Sequence, residues 1–162
     1  MLKESVFLKH LMFKHVYQRV VNLSVAESAL NDAVGAIFTA SVAAILLTHH
    51  HADHTSGMDE IRGFNFTLNR HIPFYAEDYV CRDLRQRFSY IFNDTEYPSL
   101  PRIELHCIDP FRSFDAGGLE VLPLRVMHGN LPVLGFRIGN FAYITDASAI
   151  PEETMSNLGN LE

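Results

Sequence analysis

The chain has 162 residues, of which 48% are hydrophobic and 20% charged, with a formal charge of −6 at pH 7. That length supports one domain with its own core, and the composition is ordinary for a globular protein. The negative balance excludes a duplex nucleic-acid binder driven by bulk electrostatics, but not a protein that holds a small phosphate ester.

In chain order, residues 1–22 set apolar pairs (Phe7-Leu8, Leu11-Met12, Val16-Tyr17, Val20-Val21) among Lys9, Lys14 and Arg19. This predicts an amphipathic helix. Packing on the domain is favoured over a membrane-surface or targeting role. All the lysines lie here, at 3, 9 and 14, and every Lys or Arg from Arg62 onward is arginine. The N-terminal segment, residues 1–41, therefore reads as divergent from the rest. Within it, Ser24 and Glu27 suit a capping box that opens a helix running to about Val34 and stopping near Gly35.

The apolar run of residues 42–48 predicts a buried strand, and residues 57–62 a short helix. Arg62 could reach a substrate phosphate, but a pair with Asp59 is favoured. Residues 72–76 read as a strand. Residues 77–92 read as a helix with Val80, Leu84, Phe88 and Ile91 on one face and Arg82, Arg85 and Arg87 solvated. Residues 102–108 alternate as a strand, and His106 within it reads as a core or surface histidine. A turn at 115–118 leads to a strand over 119–127 that ends at His128. Strands over 133–138 and 141–145 flank Gly139-Asn140, a two-residue hairpin signal, and Asp146 follows the second. Pro151-Glu152-Glu153 opens a last helix that reaches about Leu158. Strands alternate with helices and then run together, so the fold class is α/β or α+β.

Two isolated cysteines, Cys81 and Cys107, form no CxxC. They fit a reducing compartment and neither a disulfide framework nor a structural zinc site. Lys9, His10 and Lys14 interrupt any secretory signal, and the apolar run of residues 34–47 is too short to span a bilayer. The expected setting is the cytoplasm, with no membrane partner and no nucleic acid; assembly into a homo-oligomer stays open.

The chemistry concentrates in Thr48-His49-His50-His51-Ala52-Asp53-His54, placed where the buried strand ends. Neutral imidazoles and a carboxylate suit Zn²⁺, and also Mn²⁺ or Fe²⁺. His49, His51, Asp53 and His54 are too closely spaced to serve one tetrahedral ion, and two adjacent ions fit them better. In an extended loop His49 and His51 point the same way, while Asp53 and His54 turn to a second ion. The alternative is a solvated loop with chance histidines.

The string Leu-Thr-His-x-His-x-Asp-His, with Val-Met-His128-Gly and Tyr-Ile-Thr-Asp146 after it, resembles the metal motif of the metallo-β-lactamase superfamily. Residues 45–162 are most similar to its phosphoribosyl cyclic phosphodiesterase-like branch, with ribonuclease Z a more distant cousin. The resemblance implies a four-layer αββα sandwich, here incomplete, forming a single domain over 1–162 whose family-like core is 42–162. It implies a first metal on His49, His51 and His128, and a second on Asp53 and His54. Asp146 bridges them, Asp53 also acts as the catalytic residue that orients the nucleophile, and His50 has no role.

The family's opening strands and Asp-Thr-Gly loop have no counterpart in residues 1–41. Its last second-metal histidine would fall beyond Glu162, so one firm and one weak metal site are expected. The implied activity is hydrolysis of a small, cyclic phosphate ester by hydroxide generated between two zinc ions. Two alternatives are kept: a non-catalytic or fragmentary metal-binding relative, and a thioester hydrolase of the glyoxalase II kind. A flavodiiron-type oxidoreductase is disfavoured by His51, where that branch carries an acid.

Overall fold

Two four-stranded sheets build the computed structural model, which describes residues 35–38, 44–93, 97 and 99–161. The helices expected over 1–22 and from Ser24 to about Val34 lie outside the described residues. In the first sheet β1 (Gly35–Phe38) runs antiparallel to β2 (Ala44–Leu46), and β2, β3 (Ile72–Ala76) and β4 (Ile103–Cys107) are parallel. The second is an antiparallel meander of β5 (Phe114–Asp115), β6 (Glu120–His128), β7 (Leu131–Ile138) and β8 (Phe141–Tyr143).

Helices join the parallel strands, as that arrangement requires. Between β2 and β3 lie α1 (Ala52–Thr55), a 3₁₀ turn (Ser56–Glu60) and α2 (Ile61–Leu68). Between β3 and β4 lie α3 (Asp78–Arg87) and α4 (Ser89–Phe92).

One short strand serves two cores. Ile45 and Leu47 pack with Ile61, Ile72, Phe74, Val80 and Leu84, between the first sheet and its helices. Ala44 and Leu46 point the other way, joining Val121, Leu134 and Phe136 between the sheets. A strand covered on both faces needs no polar alternation, which is why this segment is apolar throughout. The layers are helix, sheet, sheet, and the short helix α5 (Glu152–Ser156) packs against β6. Its buried Thr154 donates a hydrogen bond to the Arg125 carbonyl.

Several boundaries differ from expectation. The helix expected over 77–92 breaks at Phe88 (φ −111°, ψ 40°), so Phe88 and Ile91 reach the same core from a separate turn. The helix expected at 57–62 instead begins at Ala52 and runs, through its 3₁₀ turn, to Leu68. The strand expected over 119–127 and ending at His128 spans Glu120–His128, because Gly129-Asn130 closes a hairpin that pairs His128 with Leu131. Gly129 sits at φ 61° and Gly139 at φ 56°, the left-handed region that glycine enters without a Cβ clash.

Candidate metal centre

The exits of β2, β6 and β8 converge on one rim. Thr48 leaves β2, and its carbonyl accepts the Leu134 amide of β7 at 3.0 Å, which ties the ligand loop to the second sheet. His49 follows, fully buried. Its Nδ1 is bonded to the Thr48 hydroxyl at 3.0 Å, leaving Nε2 to face the site, 3.0 Å from His51 Nδ1.

His128 arrives at the end of β6, its ring centroid 5.6 Å from that of His49 and 5.3 Å from that of His51. Beyond β8 the chain turns back along β6 through a bridge between Met127 and Ala149. Just before that bridge Asp146 adopts φ 54°, a left-handed conformation that costs a non-glycine residue energy and that surrounding contacts must hold. Asp146 Oδ2 lies 2.6 Å from His54 Nε2 and 3.9 Å from His49 Nε2.

Two donor sets result: His49, His51 and His128, and His49, His54 and Asp146, with donor atoms in each set within 4.8 Å of one another. Three imidazole nitrogens around an open position are the donor set of a catalytic zinc site, so the residues fit a divalent ion. The second set adjoins the first through His49. Asp53 stands beside it, 3.5 Å from His54 Nε2, but its side chain is 72% exposed and it belongs to neither set. The extended-loop geometry expected for Asp53 and His54 is replaced by the first turn of α1. That turn buries His54 and leaves Asp53 outside. The structure thus brings together five of the six expected ligands, His49, His51, His54, His128 and Asp146, with Asp53 at the edge.

Burial and the neighbouring His54 and His51 push the His49 imidazole down from about 6.5 to about 4. It is therefore neutral at pH 7, the form that coordinates metal. His50 Nδ1 and His54 Nδ1 are buried without a partner among the described residues.

Several neighbours of the site carried no signal in the sequence. The Thr55 hydroxyl donates to the His51 carbonyl at 2.9 Å. Tyr79 meets His50 edge-on at 5.5 Å and donates to the Pro132 carbonyl at 2.9 Å. Arg87, expected to be solvated, reaches across to the His50 carbonyl. Arg82, exposed on the helix surface, pairs with Asp78. The pair expected between Arg62 and Asp59 is not formed; the Tyr90 hydroxyl bonds Asp59 instead, at 2.9 Å. His106 stacks on Tyr75 at 4.8 Å and joins neither donor set. Cys81 is buried and Cys107 exposed, both as free thiols. Among the described residues no helix is long and apolar enough to cross a membrane.

Two sheets under helices, with histidines and an aspartate gathered at the strand ends, define a metallo-β-lactamase-like fold carrying a candidate divalent-metal site. The chain belongs to the β-lactamase superfamily domain family, which it matches over residues 30–162. It is 40% identical over 118 residues to an octanoyltransferase from Porphyromonas gingivalis, a match that covers 73% of this chain and 24% of that protein. A diphosphatase from the PhnP family, known from its crystal structure, is similar with a TM-score of 0.64 and 34% identity, covering 73% of this chain and 44% of that one. A metallo-β-lactamase fold protein from Bacillus subtilis is similar with a TM-score of 0.43 and 20% identity, over 65% and 36% of the two chains. The chain thus spans about a quarter of the octanoyltransferase and under half of the diphosphatase.

Proposed function

We propose that this chain is a metal-dependent hydrolase of small phosphate esters, cyclic phosphodiesters among them. The observation that carries the proposal is the pair of donor sets meeting at His49, on a fold similar to that of a PhnP-family diphosphatase. His49, His51 and His128 would hold one ion, and His54 and Asp53 a second, with Asp146 between them. Zn²⁺ suits these donors best, with Mn²⁺ or Fe²⁺ as substitutes. When bound, a pair of divalent ions would lower the pKa of bound water toward about 7 and offset the charge on phosphate oxygens. Thr48 holds the His49 ring so that Nε2 points inward. Asp53, the most exposed carboxylate at the rim, would orient the attacking water and accept its proton.

A second reading is thioester hydrolysis, an acyl chemistry like that in the name of the octanoyltransferase relative, of which this chain matches 24%. Parallel assays separate the two. Turnover of bis-p-nitrophenyl phosphate with added Zn²⁺ or Mn²⁺, lost on chelation and in His49→Ala/His51→Ala, is the expected result. Turnover of an acyl thioester alone would favour the second reading. Bound metal without turnover of either substrate would leave a non-catalytic metal-binding relative.

A further inference from the structure

Arg87 is the last residue of α3, 37 positions beyond His50 in sequence, yet its guanidinium lies against the ligand loop. One of its amino groups donates to the His50 carbonyl at 2.7 Å and to the Thr55 hydroxyl at 3.1 Å. Thr55 in turn donates its single hydroxyl hydrogen to the His51 carbonyl at 2.9 Å. Both peptide carbonyls that flank the His51 ring-bearing carbon are therefore tied, directly or through Thr55, to one side chain. Asp83, one helical turn before Arg87, accepts from its Nε at 2.6 Å and pairs with its charge. Asp83 on the helix holds the guanidinium through Nε and Nη2, and the same Nη2 holds the loop.

The loop needs such a support. His49 and His51 stand two residues apart, and the only regular structure between β2 and these rings is the extended chain itself. A free loop would let the His51 ring swing, and the ion would have to order it on binding. A donor that fixes the backbone beforehand removes that cost, as groups surrounding metal ligands generally do.

We propose that Arg87 is a positioning residue for the metal site, acting with Asp83 and Thr55 to hold the segment from His49 to His51 in its metal-binding conformation. The proposal rests on the reading of His49, His51 and His128 as metal ligands, and it adds a role on α3 to them. The guanidinium gives the carboxylate two donors, Nε and Nη2, while Nη2 also reaches the loop acceptors. A lysine ammonium carries the charge on a chain one atom shorter, with a single nitrogen in place of the two that hold Asp83.

The test measures zinc affinity by chelator competition in the wild-type chain and in Arg87→Met, Arg87→Lys and Arg82→Met. Each protein is also loaded with Co²⁺, whose visible absorption reports coordination geometry. The expected result is a ten- to hundred-fold loss of zinc affinity in Arg87→Met. Arg87→Lys should lose most of that, with an altered Co²⁺ spectrum, and Arg82→Met should match wild type. Should Arg87→Met fail to fold, Arg87→Lys, which keeps the charge and the helix, carries the decision. Wild-type affinity and an unchanged Co²⁺ spectrum in the folded lysine variant would overturn the proposal while leaving the metal site intact. A wild-type chain that binds no zinc would overturn the ligand assignment, and this inference with it.

Discussion

His49 is where the two donor sets meet, and its Nε2 can coordinate one ion at a time. An ion on His49, His51 and His128 leaves the other set with His54 and Asp146, beside which the exposed Asp53 stands. Zinc titration against a competing chelator should therefore show one tight step near 1:1 and a second, weaker one. Two equally tight steps would mean that each ion has its own full donor set. His128→Ala should remove the tight step, because it takes away the one nitrogen that the second sheet supplies to that set.

The depressed His49 imidazole also sets a pH dependence for the metal-free chain. The unfolded chain takes up this proton near pH 6.5, and the folded chain only near pH 4. Below about 6.5 the unfolded state thus binds more protons, so the stability contributed by neutral His49 declines as pH falls toward about 4 and then levels off. Urea unfolding of chelator-treated protein from pH 8 to 4 should show the midpoint falling over that window. His49→Asn, which does not titrate there, should flatten the decline. An unchanged slope in that variant would locate the dependence in another group.

At the scale of elements, β7 passes so close to the chain after β8 that only glycine fits at position 135. A Cβ there would lie 2.9 Å from Ile144 Cγ1 and 3.0 Å from the Tyr143 carbonyl oxygen. The side chain could shift but the backbone oxygen could not do so freely. Gly135→Ala should cost about 1–3 kcal/mol of unfolding free energy, the range of overpacked sites. Gly63, inside α2, has nothing within 4 Å of the same position. Gly63→Ala should be neutral or stabilising by about 0.5–1 kcal/mol. Denaturant melts of the two variants should move in opposite directions, and a common direction would rule out the close approach as the cause. This crowding sits on the stretch that delivers Asp146, so Gly135→Ala should also weaken zinc binding.

For the molecule as a whole, the joint between the sheets at the site rim is polar as well as apolar. Glu77 follows β3, Arg125 lies on β6, and the two form a bidentate ion pair with both side chains 18% exposed. Its Nη1 to Oε2 distance is 2.8 Å. Removing one partner leaves a nearly buried charge unpaired, so Glu77→Ala should destabilise the chain by on the order of 3 kcal/mol. The double variant Glu77→Leu/Arg125→Met should recover much of that. A double variant as unstable as the sum of its singles would show that the two residues do not act as a pair.

Sequence by itself determined the chemistry of the site and the local form of its supports. Ligand-type residues crowded into positions 49–54 mark a candidate metal site by their side-chain chemistry alone. The apolar run before them can only be a covered element, and period-two and helical spacing locate β3 and the apolar face of α3 because those patterns are local. The hairpin at Gly139-Asn140 is legible for the same reason. Tertiary structure decided what depends on distance in space. It brought His128 and Asp146 to the β2 exit from 79 and 97 positions beyond His49. It started a helix at Ala52 that buries His54 and turns Asp53 outward, and it drew Arg87 off the solvent onto the His50 carbonyl. No local pattern encodes these, since a side chain carries its charge and shape in the sequence but finds its partner only when the sheets close.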